Sequence, residues 1–368
     1  CPSKFPTYHT SSNEFPIGST VKVTNIKTGR SVLVKVVQRW GQPAGRVVDL
    51  DWAAFSAVGG TKSDGIIRVV VSPATGSLGP WKAGTNPSTP STPSTPTVSA
   101  ESIPKLTMYA DTIHPPSTVQ AKGYAVYDQS SGTFLAGRNP DGAGSIASIT
   151  KLMTAMVLLD RNPNMNQVVT YSSSDNATCS CLSLGPGEKL TLHDLFWATM
   201  VGSANNGAKA LARSTGLSTA QFVAAMNAKA KAIGLTKTTF TEPSGLDAGN
   251  QSTPRQIAAL GAYAFHNYPL LRQVSVAQKF SFTTLNTKKA HTIYLRYSLV
   301  GSPTLGRLVA TGSKTGYTDE AGNTYVFRAK NAQGVQVIVS IFGEPTWQQR
   351  NKDVAALLDW AFGHHAWK

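Results

Sequence analysis

The chain has 368 residues and a formal net charge of +15, although only 14% of its residues are charged. That length exceeds one ordinary hydrophobic core and implies two or more domains. A diffuse basic excess suits an anionic partner such as a cell wall or membrane surface; with no Lys/Arg run interleaved with aromatics and no nucleic-acid motif, nucleic acid is not expected.

The chain starts at Cys1 rather than Met, as expected of an exported precursor that has lost its signal. No apolar stretch approaches the length of a transmembrane helix. Its three cysteines are Cys1, Cys179 and Cys181. Their number is odd and the Cys-x-Cys pair is too close for an easy disulfide, so surface or half-buried thiols are expected. A metal at Cys179 and Cys181 would need two more ligands, and none stands out.

Residues 1–82 read as all-β. Thr20–Asn25 and Ser31–Val37 flank Lys27-Thr28-Gly29-Arg30 as a hairpin, and Arg46–Leu50 and Gly65–Val71 add two strands. Between these, Asp51–Gly59 predicts a short helix stopped by glycine. The runs Phe15-Pro16-Ile17-Gly18-Ser19-Thr20-Val21-Lys22-Val23-Thr24-Asn25 and Gly45-Arg46-Val47-Val48-Asp49-Leu50 resemble the double-psi β-barrel of the rare lipoprotein A family. Some members of that family cleave peptidoglycan glycan strands. The resemblance puts Asp49 at the family's acidic position. Ser12 replaces its histidine, with His9 the nearest imidazole, and Gln38-Arg39-Trp40-Gly41 replaces its Asp-Arg-Gly-Pro loop. Without a second acid or base, a glycan-binding or spacer role is expected rather than hydrolysis. The barrel would lack its first strand unless residues 1–8 supply it.

Residues 83–104 carry three tandem Ser-Thr-Pro copies from Ser88 to Pro96. Such a segment cannot bury a core and predicts an extended linker. Residues 105–368 form the second predicted domain. A hairpin is expected at Gly123–Asp128 and Thr133–Ala136, and helices at Leu192–Val201, Asn206–Ser214, Thr219–Ile233 and Thr253–Tyr268, the last with Pro254 in its first turn. Strands return at Leu308–Thr311, Thr324–Arg328 and Val335–Phe342, before a last helix at about Gln348–Phe362. Strands at both ends with helices between predict an α/β domain with one antiparallel sheet covered by helices.

The stretch from Ser145 to Leu159 is nearly unbroken in apolar residues from Leu152, which predicts a helix buried on all sides. It opens on Ser148-x-x-Lys151, whose spacing sets both side chains on one face of the first turn. Lys151 can take the Ser148 proton if burial and a second cation keep it partly neutral. Ser19-x-x-Lys22 and Ser102-x-x-Lys105 match the same pattern in unsuitable contexts. Ser203-Ala204-Asn205 lies between two helical patterns, where side chains can enter a cleft, and Lys314-Thr315-Gly316 is expected to end a strand. Each has a decoy, Ser174-Asp175-Asn176 and Lys27-Thr28-Gly29. Order and spacing within one domain make the joint signal specific.

With Met226-Asn227-Ala228-Lys229-Ala230-Lys231, Pro243-Ser244-Gly245-Leu246-Asp247 and the run from Lys314 to Gly322, these motifs resemble the serine D,D-peptidases of the penicillin-binding protein superfamily, in particular the D-alanyl-D-alanine carboxypeptidase and endopeptidase family. The resemblance covers nearly the whole second domain and implies a penicillin-binding-protein/β-lactamase-like fold. It implies Ser148 as nucleophile, Lys151 as base, Ser203 as proton relay and Asn205 as a hold on the substrate backbone. Lys314 and Thr315 would attract the substrate carboxylate, with Gly316 allowing close backbone approach and Arg350 as a further carboxylate contact. The N–H groups of Ser148 and Tyr317 would form an oxyanion hole. Implied partners are peptidoglycan stem peptides and glycan, with β-lactams as covalent inhibitors, and peripheral membrane or wall association is a further expectation. No metal or organic cofactor is implied. Carboxypeptidase is the leading expectation; the first motif leans towards the endopeptidase branch, and a wall-binding or β-lactam-sensing protein without turnover is the rival class. Asn206 stands where the family often has Asp.

Overall fold

A computed structural model describes residues 114–129, 132–178 and 180–367, together with Val58 and the strands Tyr8–Ser11, Thr20–Asn25, Ser31–Gln38, Asp49–Leu50, Val69–Pro73 and Leu106–Met108. The chain divides into two compact units, Cys1–Thr97 and Val98–Lys368.

In the first unit the strands β1 (Tyr8–Ser11), β2 (Thr20–Asn25), β3 (Ser31–Gln38), β4 (Asp49–Leu50) and β5 (Val69–Pro73) form one sheet of order β4-β1-β3-β2-β5. The expected hairpin is the antiparallel β2–β3 pair, with Val21 opposite Val34. Val21, Val23, Val32 and Val34 are buried while Leu33 is exposed, the alternation of a strand buried on one face. A strand not foreseen in the sequence, β1, lies parallel to β3 and pairs antiparallel with β4, setting Ser11 opposite Asp49. The strand expected at Gly65–Val71 is described only from Val69 and runs on to Pro73. The predicted helix Asp51–Gly59 lies outside the described residues except for Val58, a buried turn position that accepts a hydrogen bond from Asn25 Nδ2 at 3.0 Å.

The second unit contains β6 (Leu106–Met108), β7 (Gly123–Asp128), β8 (Phe134–Arg138), β9 (Gly144–Ser145), α1 (Thr150–Leu159), β10 (Val168–Thr170), β11 (Lys189–Thr191), α2 (Leu192–Gly202), α3 (Asn205–Ser214), α4 (Thr219–Ala232), β12 (Gln251–Ser252), α5 (Pro254–Asn267), α6 (Pro269–Ser275), β13 (Lys279–Thr283), β14 (Ala290–Tyr294), β15 (Val309–Thr318), β16 (Gly322–Lys330), β17 (Gln336–Glu344), α7 (Trp347–His364) and β18 (His365–Trp367). Its main sheet has the order β15-β16-β17-β7-β8, antiparallel throughout. Because β7 is the first strand of this sheet in the chain and β17 the last, their pairing, with Val126 opposite Val339, closes the sheet over more than two hundred residues of sequence.

The central strands are buried on both faces, which is why they read as near-continuous apolar runs. On one face Val326, Ile338 and Phe342 join the core formed by the helices α1 to α6. On the other, Tyr325, Phe327, Val337, Val339 and Ile341 pack with Val354, Leu357, Leu358 and Trp360 of α7. Helix α1 is wholly buried from Thr150 to Leu158, as its uninterrupted apolar composition requires. The strand expected at Leu308–Thr311 is instead ten residues long and carries Lys314-Thr315-Gly316 within it rather than at its end.

Between the end of β17 and α7 lies a buried carboxyl pair. Asp353 accepts hydrogen bonds from the N–H groups of Gln120 (2.5 Å) and Ala121 (3.0 Å) and from Gln349 Nε2 (2.6 Å). Glu344 is fully buried, and neither of its carboxylate oxygens has a hydrogen-bond partner. Burial first, then Asp353, push Glu344 from its ordinary 4.5 up to about 8, while Arg350 and Arg138 pull it part of the way back. A carboxyl group whose folded pKa is raised binds its proton more tightly in the folded state, so it makes stability fall as pH rises from about 5 to 8. Glu344→Gln should therefore raise the Tm at pH 8 more than at pH 5. Thermal unfolding at the two pH values checks this, and equal shifts would contradict it.

Candidate active site

Ser148 sits in a 3-10 turn, Ala147–Ile149, that feeds directly into α1. Lys151, one turn on, is completely buried. Its Nζ lies 2.8 Å from Ser148 Oγ, 2.7 Å from Asn205 Oδ1 and 2.6 Å from the Ser244 carbonyl oxygen. A neutral amine has two N–H donors and one lone pair. Asn205 and Ser244 can only accept here, which leaves the lone pair for the Ser148 hydroxyl to donate to. The three partners thus satisfy the base form of Lys151 in full. Burial is the main cause that lowers Lys151 to about 7, against the opposing pull of Glu242 and Cys181.

The nucleophile turn is held in an unusual backbone. Ala147 has φ +48, a left-handed value for a residue with a Cβ. Two glycines press against it: a Cβ on Gly245 would lie 2.0 Å from the Ala147 oxygen, and one on Gly316 would lie 2.9 Å from the Ile146 oxygen. Ile146 also donates its N–H to the Asn250 oxygen at 3.0 Å and accepts from Thr324 Oγ1 at 3.3 Å. The loop 242–246 that carries Gly245 and the Ser244 carbonyl is organised by Glu242. Its carboxylate accepts from the N–H groups of Ser244 (2.6 Å), Gly245 and Leu246 (2.9 Å) and from Asn250 Nδ2 (2.6 Å). Asn227 secures the approach by accepting from Phe240 N–H (2.9 Å) and donating to the Phe240 oxygen (2.8 Å).

Opposite stands Ser203, the left-handed C-cap of α2, at φ 53 and ψ 38. A glycine usually takes this position, so a serine there is held by its surroundings. Its Oγ accepts from Lys314 Nζ at 2.8 Å, and Lys314 also donates to the Thr315 oxygen at 2.7 Å. Burial, then the charges of Lys151 and Arg350, pull Lys314 well below the ordinary lysine value. Asn205 begins α3 with its carboxamide oxygen on Lys151 and its amide nitrogen donating to the Thr178 oxygen at 2.9 Å, so its side chain is held against Lys151 at the cleft wall. Asn206 both accepts from Leu182 N–H (2.9 Å) and donates to the Leu182 oxygen (2.9 Å), a double role that an aspartate could not fill.

Ser148, Ser203, Asn205, Lys314, Thr315, Gly316, Tyr317 and Arg350 line one cleft of about 800 Å³. Arg350 is not a solvated helix-start residue. It is 1% exposed, its guanidinium lies 4.7 Å from the centre of the Tyr325 ring, and it donates to the Tyr297 oxygen and to Asn351 Oδ1. Burial lowers it to about 10. Cys181 is exposed, reaches the cleft and donates to the Ala177 oxygen at 3.2 Å. Cys179 lies outside the described residues, and no cluster of three or more metal-ligating side chains occurs among the described ones.

Among the described residues, none of the competing motifs lines this cleft. Asp175 of Ser174-Asp175-Asn176 is held by Arg213 at 2.7 Å, Lys22 is on β2 of the first unit, and Ser19, Ser102, Lys105 and Lys27-Thr28-Gly29 lie outside the described residues. Asp49 is on β4, where only the backbone is described. Glu242 and Asn250 were not foreseen as site residues; the Pro-Ser-Gly turn following Glu242 was the available signal.

A family model described as D-alanyl-D-alanine carboxypeptidase matches residues 109–346. The chain is 34% identical over 227 residues to a D-alanyl-D-alanine endopeptidase of Pseudomonas aeruginosa, a match spanning 60% of this chain and 71% of that protein. It is 32% identical over 253 residues to a D-alanyl-D-alanine carboxypeptidase of Mycobacterium tuberculosis, covering 66% and 82%. Among solved structures, a D-alanyl-D-alanine carboxypeptidase from Mycobacterium tuberculosis superposes with a TM-score of 0.62 at 30% identity, over 70% of this chain and 96% of that one. The Streptomyces K15 DD-transpeptidase gives 0.62 at 27% identity, over 68% and 100%.

A base that works as the neutral amine becomes competent as pH rises through its pKa. The second-order rate of covalent capture of Ser148 by a penicillin should climb with pH to a plateau, with a midpoint near 7. Stopped-flow acylation across pH 5 to 9 measures it; a flat profile would remove Lys151 from the role of base.

Proposed function

The chain belongs to the D-alanyl-D-alanine carboxypeptidase family of serine hydrolases, and on that premise we propose that it removes the terminal D-alanine from peptidoglycan stem peptides through an acyl-enzyme on Ser148. The observation that carries this reading is the three-partner environment of Lys151, which holds a base 2.8 Å from a hydroxyl. Lys151 takes the Ser148 proton as Oγ attacks the carbonyl carbon of the penultimate D-alanine. The N–H groups of Ser148 and Tyr317 face the developing oxyanion, an effect typically worth about 3 to 4 kcal/mol per donor. The leaving amine receives its proton through Ser203, whose hydroxyl Lys314 polarises. Lys314, Thr315 and Arg350 supply the positive field and hydrogen bonds for the substrate's terminal carboxylate. Water then resolves the ester by the same groups in reverse.

The same machinery cleaves a D,D cross-link if the leaving amine belongs to a second stem peptide, and relatives of both names support either outcome. Digestion of purified muropeptides, resolved by mass, tests the reading. Loss of one D-alanine from pentapeptide monomers is expected, conversion of dimers to monomers marks the endopeptidase alternative, and no turnover of either would leave only a binding or sensing role.

β-Lactams should act as slow-clearing acylating inhibitors. Glu242, whose loop presses Gly245 against the Ala147 backbone, is committed to three backbone N–H groups and Asn250, so it is not spare to activate a deacylating water there. A fluorescent penicillin should label the wild-type chain with one adduct lasting minutes or longer and should not label Ser148→Ala. Hydrolysis of penicillin at many turnovers per second would contradict this.

For the first unit we propose a double-psi barrel that binds peptidoglycan glycan, with Asp49 in the binding face. Its support is the resemblance in residues 15–25 and 45–50 and the basic charge of the chain. The cell envelope is the proposed location; among the described residues no helix is long and apolar enough to cross a membrane. In a Ser148→Ala background, Asp49→Asn should weaken salt-dependent co-sedimentation of the full chain with sacculi. Unchanged sedimentation would take Asp49 out of the binding face.

A further inference from the structure

The cleft, of about 800 Å³, is larger than a terminal D-alanine needs. Beyond Arg350 the wall is built by two exposed aromatic side chains, Tyr297 at 56% and Trp347 at 40% exposure. Their rings stand 5.2 Å apart at 42°. Trp347 is the first residue of α7, presented at the helix start behind the N-cap Thr346. Tyr297 has φ +56, a conformation unfavourable for a bulky aromatic. That backbone is fixed because the Tyr297 carbonyl accepts from the buried Arg350 guanidinium, which Asn351 and the Tyr325 ring hold in turn. The Tyr297 ring gains little burial in return, since more than half of its surface faces solvent and its aromatic neighbour in the cleft wall is the exposed Trp347. Strained backbone that displays an exposed side chain at a cleft rim is a mark of function.

We propose that Tyr297 and Trp347 form a leaving-group subsite for the second stem peptide of a cross-link. The inference rests on the functional reading above, in which Lys314 and Arg350 receive the carboxylate on the leaving side of the scissile bond. A terminal D-alanine would satisfy those cations and extend no further than its methyl group. In a cross-link the leaving residue is a D-configured centre with the same carboxylate and, in place of the methyl, a long side chain that continues into another peptide. Once its carboxylate is on Arg350, that chain must leave the cleft past the residues beside Arg350. Tyr297 adjoins Arg350 through its carbonyl, and Trp347 lies one turn before it on α7. Flat aromatic faces suit a methylene chain and peptide planes, and they gain little from a single alanine. The two rings therefore select between substrates that share one chemistry.

The test compares wild type, Trp347→Ala and Trp347→Phe in three assays: cleavage of a D,D-cross-linked muropeptide dimer, release of D-alanine from the monomer, and acylation by penicillin. Trp347→Ala should lower kcat/KM for the dimer about tenfold relative to the other two rates, and Trp347→Phe should restore most of it. An equal fall in all three rates would make Trp347 a prop for Arg350 and overturn the subsite. So would an unchanged dimer rate, or a wild-type chain that releases D-alanine but leaves dimers intact. Acylation by penicillin without turnover of either peptide would instead count against the functional reading itself.

Discussion

A lysine amine removed completely from water is the constraint around which the second unit is arranged. Burial of an ammonium is costly enough to lower Lys151 to about 7 against the opposing charge of Glu242, and Asn205 and Ser244 supply acceptors that fit the neutral form. The buried α1, unusual for a helix that begins with a polar pair, is the means of burying it. Asn205 and Ser244 come from separate elements, yet both present oxygens that fix the direction of the amine's lone pair.

Those oxygens are kept in place by residues that never touch a reacting atom. Glu242 spends its charge on consecutive backbone N–H groups, turning a short loop into a rigid bracket for the Ser244 carbonyl and for Gly245. Gly316 closes the opposite side from within β15. The strained φ of Ala147 survives because both neighbours leave it no room to relax. Positioning by rigid backbone is what gives the hydroxyl and the base a fixed separation before any substrate arrives.

Much of this was legible in the sequence. The helices from α2 to α5 lie within two residues of their expected bounds; α2, α4 and α5 start on the side-chain caps Thr191, Ser218 and Thr253, the last followed by Pro254. The Ser-x-x-Lys, Ser-Ala-Asn and Lys-Thr-Gly motifs meet in one cleft, and no described residue of the decoys lines it. What escaped had physical reasons. Lys314 and Gly312 sit inside the edge strand β15 although both residue types are depleted in strands, since tertiary closeness to Ser203 and Phe265 overrides propensity. The β13–β14 hairpin is short, half-exposed and rich in Lys and Thr, so its alternation is faint. Glu242 reads as an ordinary loop acid until its four donors are seen. Arg350 reads as a surface residue because nothing in its local sequence announces the Tyr325 ring beneath it.

The bracket around Ala147 and Ser148 has a consequence for when the protein becomes reactive. Its parts are far apart in sequence: Gly245 and the Ser244 carbonyl lie far down the chain from Ser148, and Gly316 lies farther still, on a strand of the sheet that the β17–β7 pairing closes. Contacts of such long sequence separation must overcome loop-closure entropy before they add stability. An incompletely folded chain therefore carries Ser148 and Lys151 side by side without the burial that lowers the pKa of Lys151. The unusual amine is thus a property of the completed fold and not of the local motif.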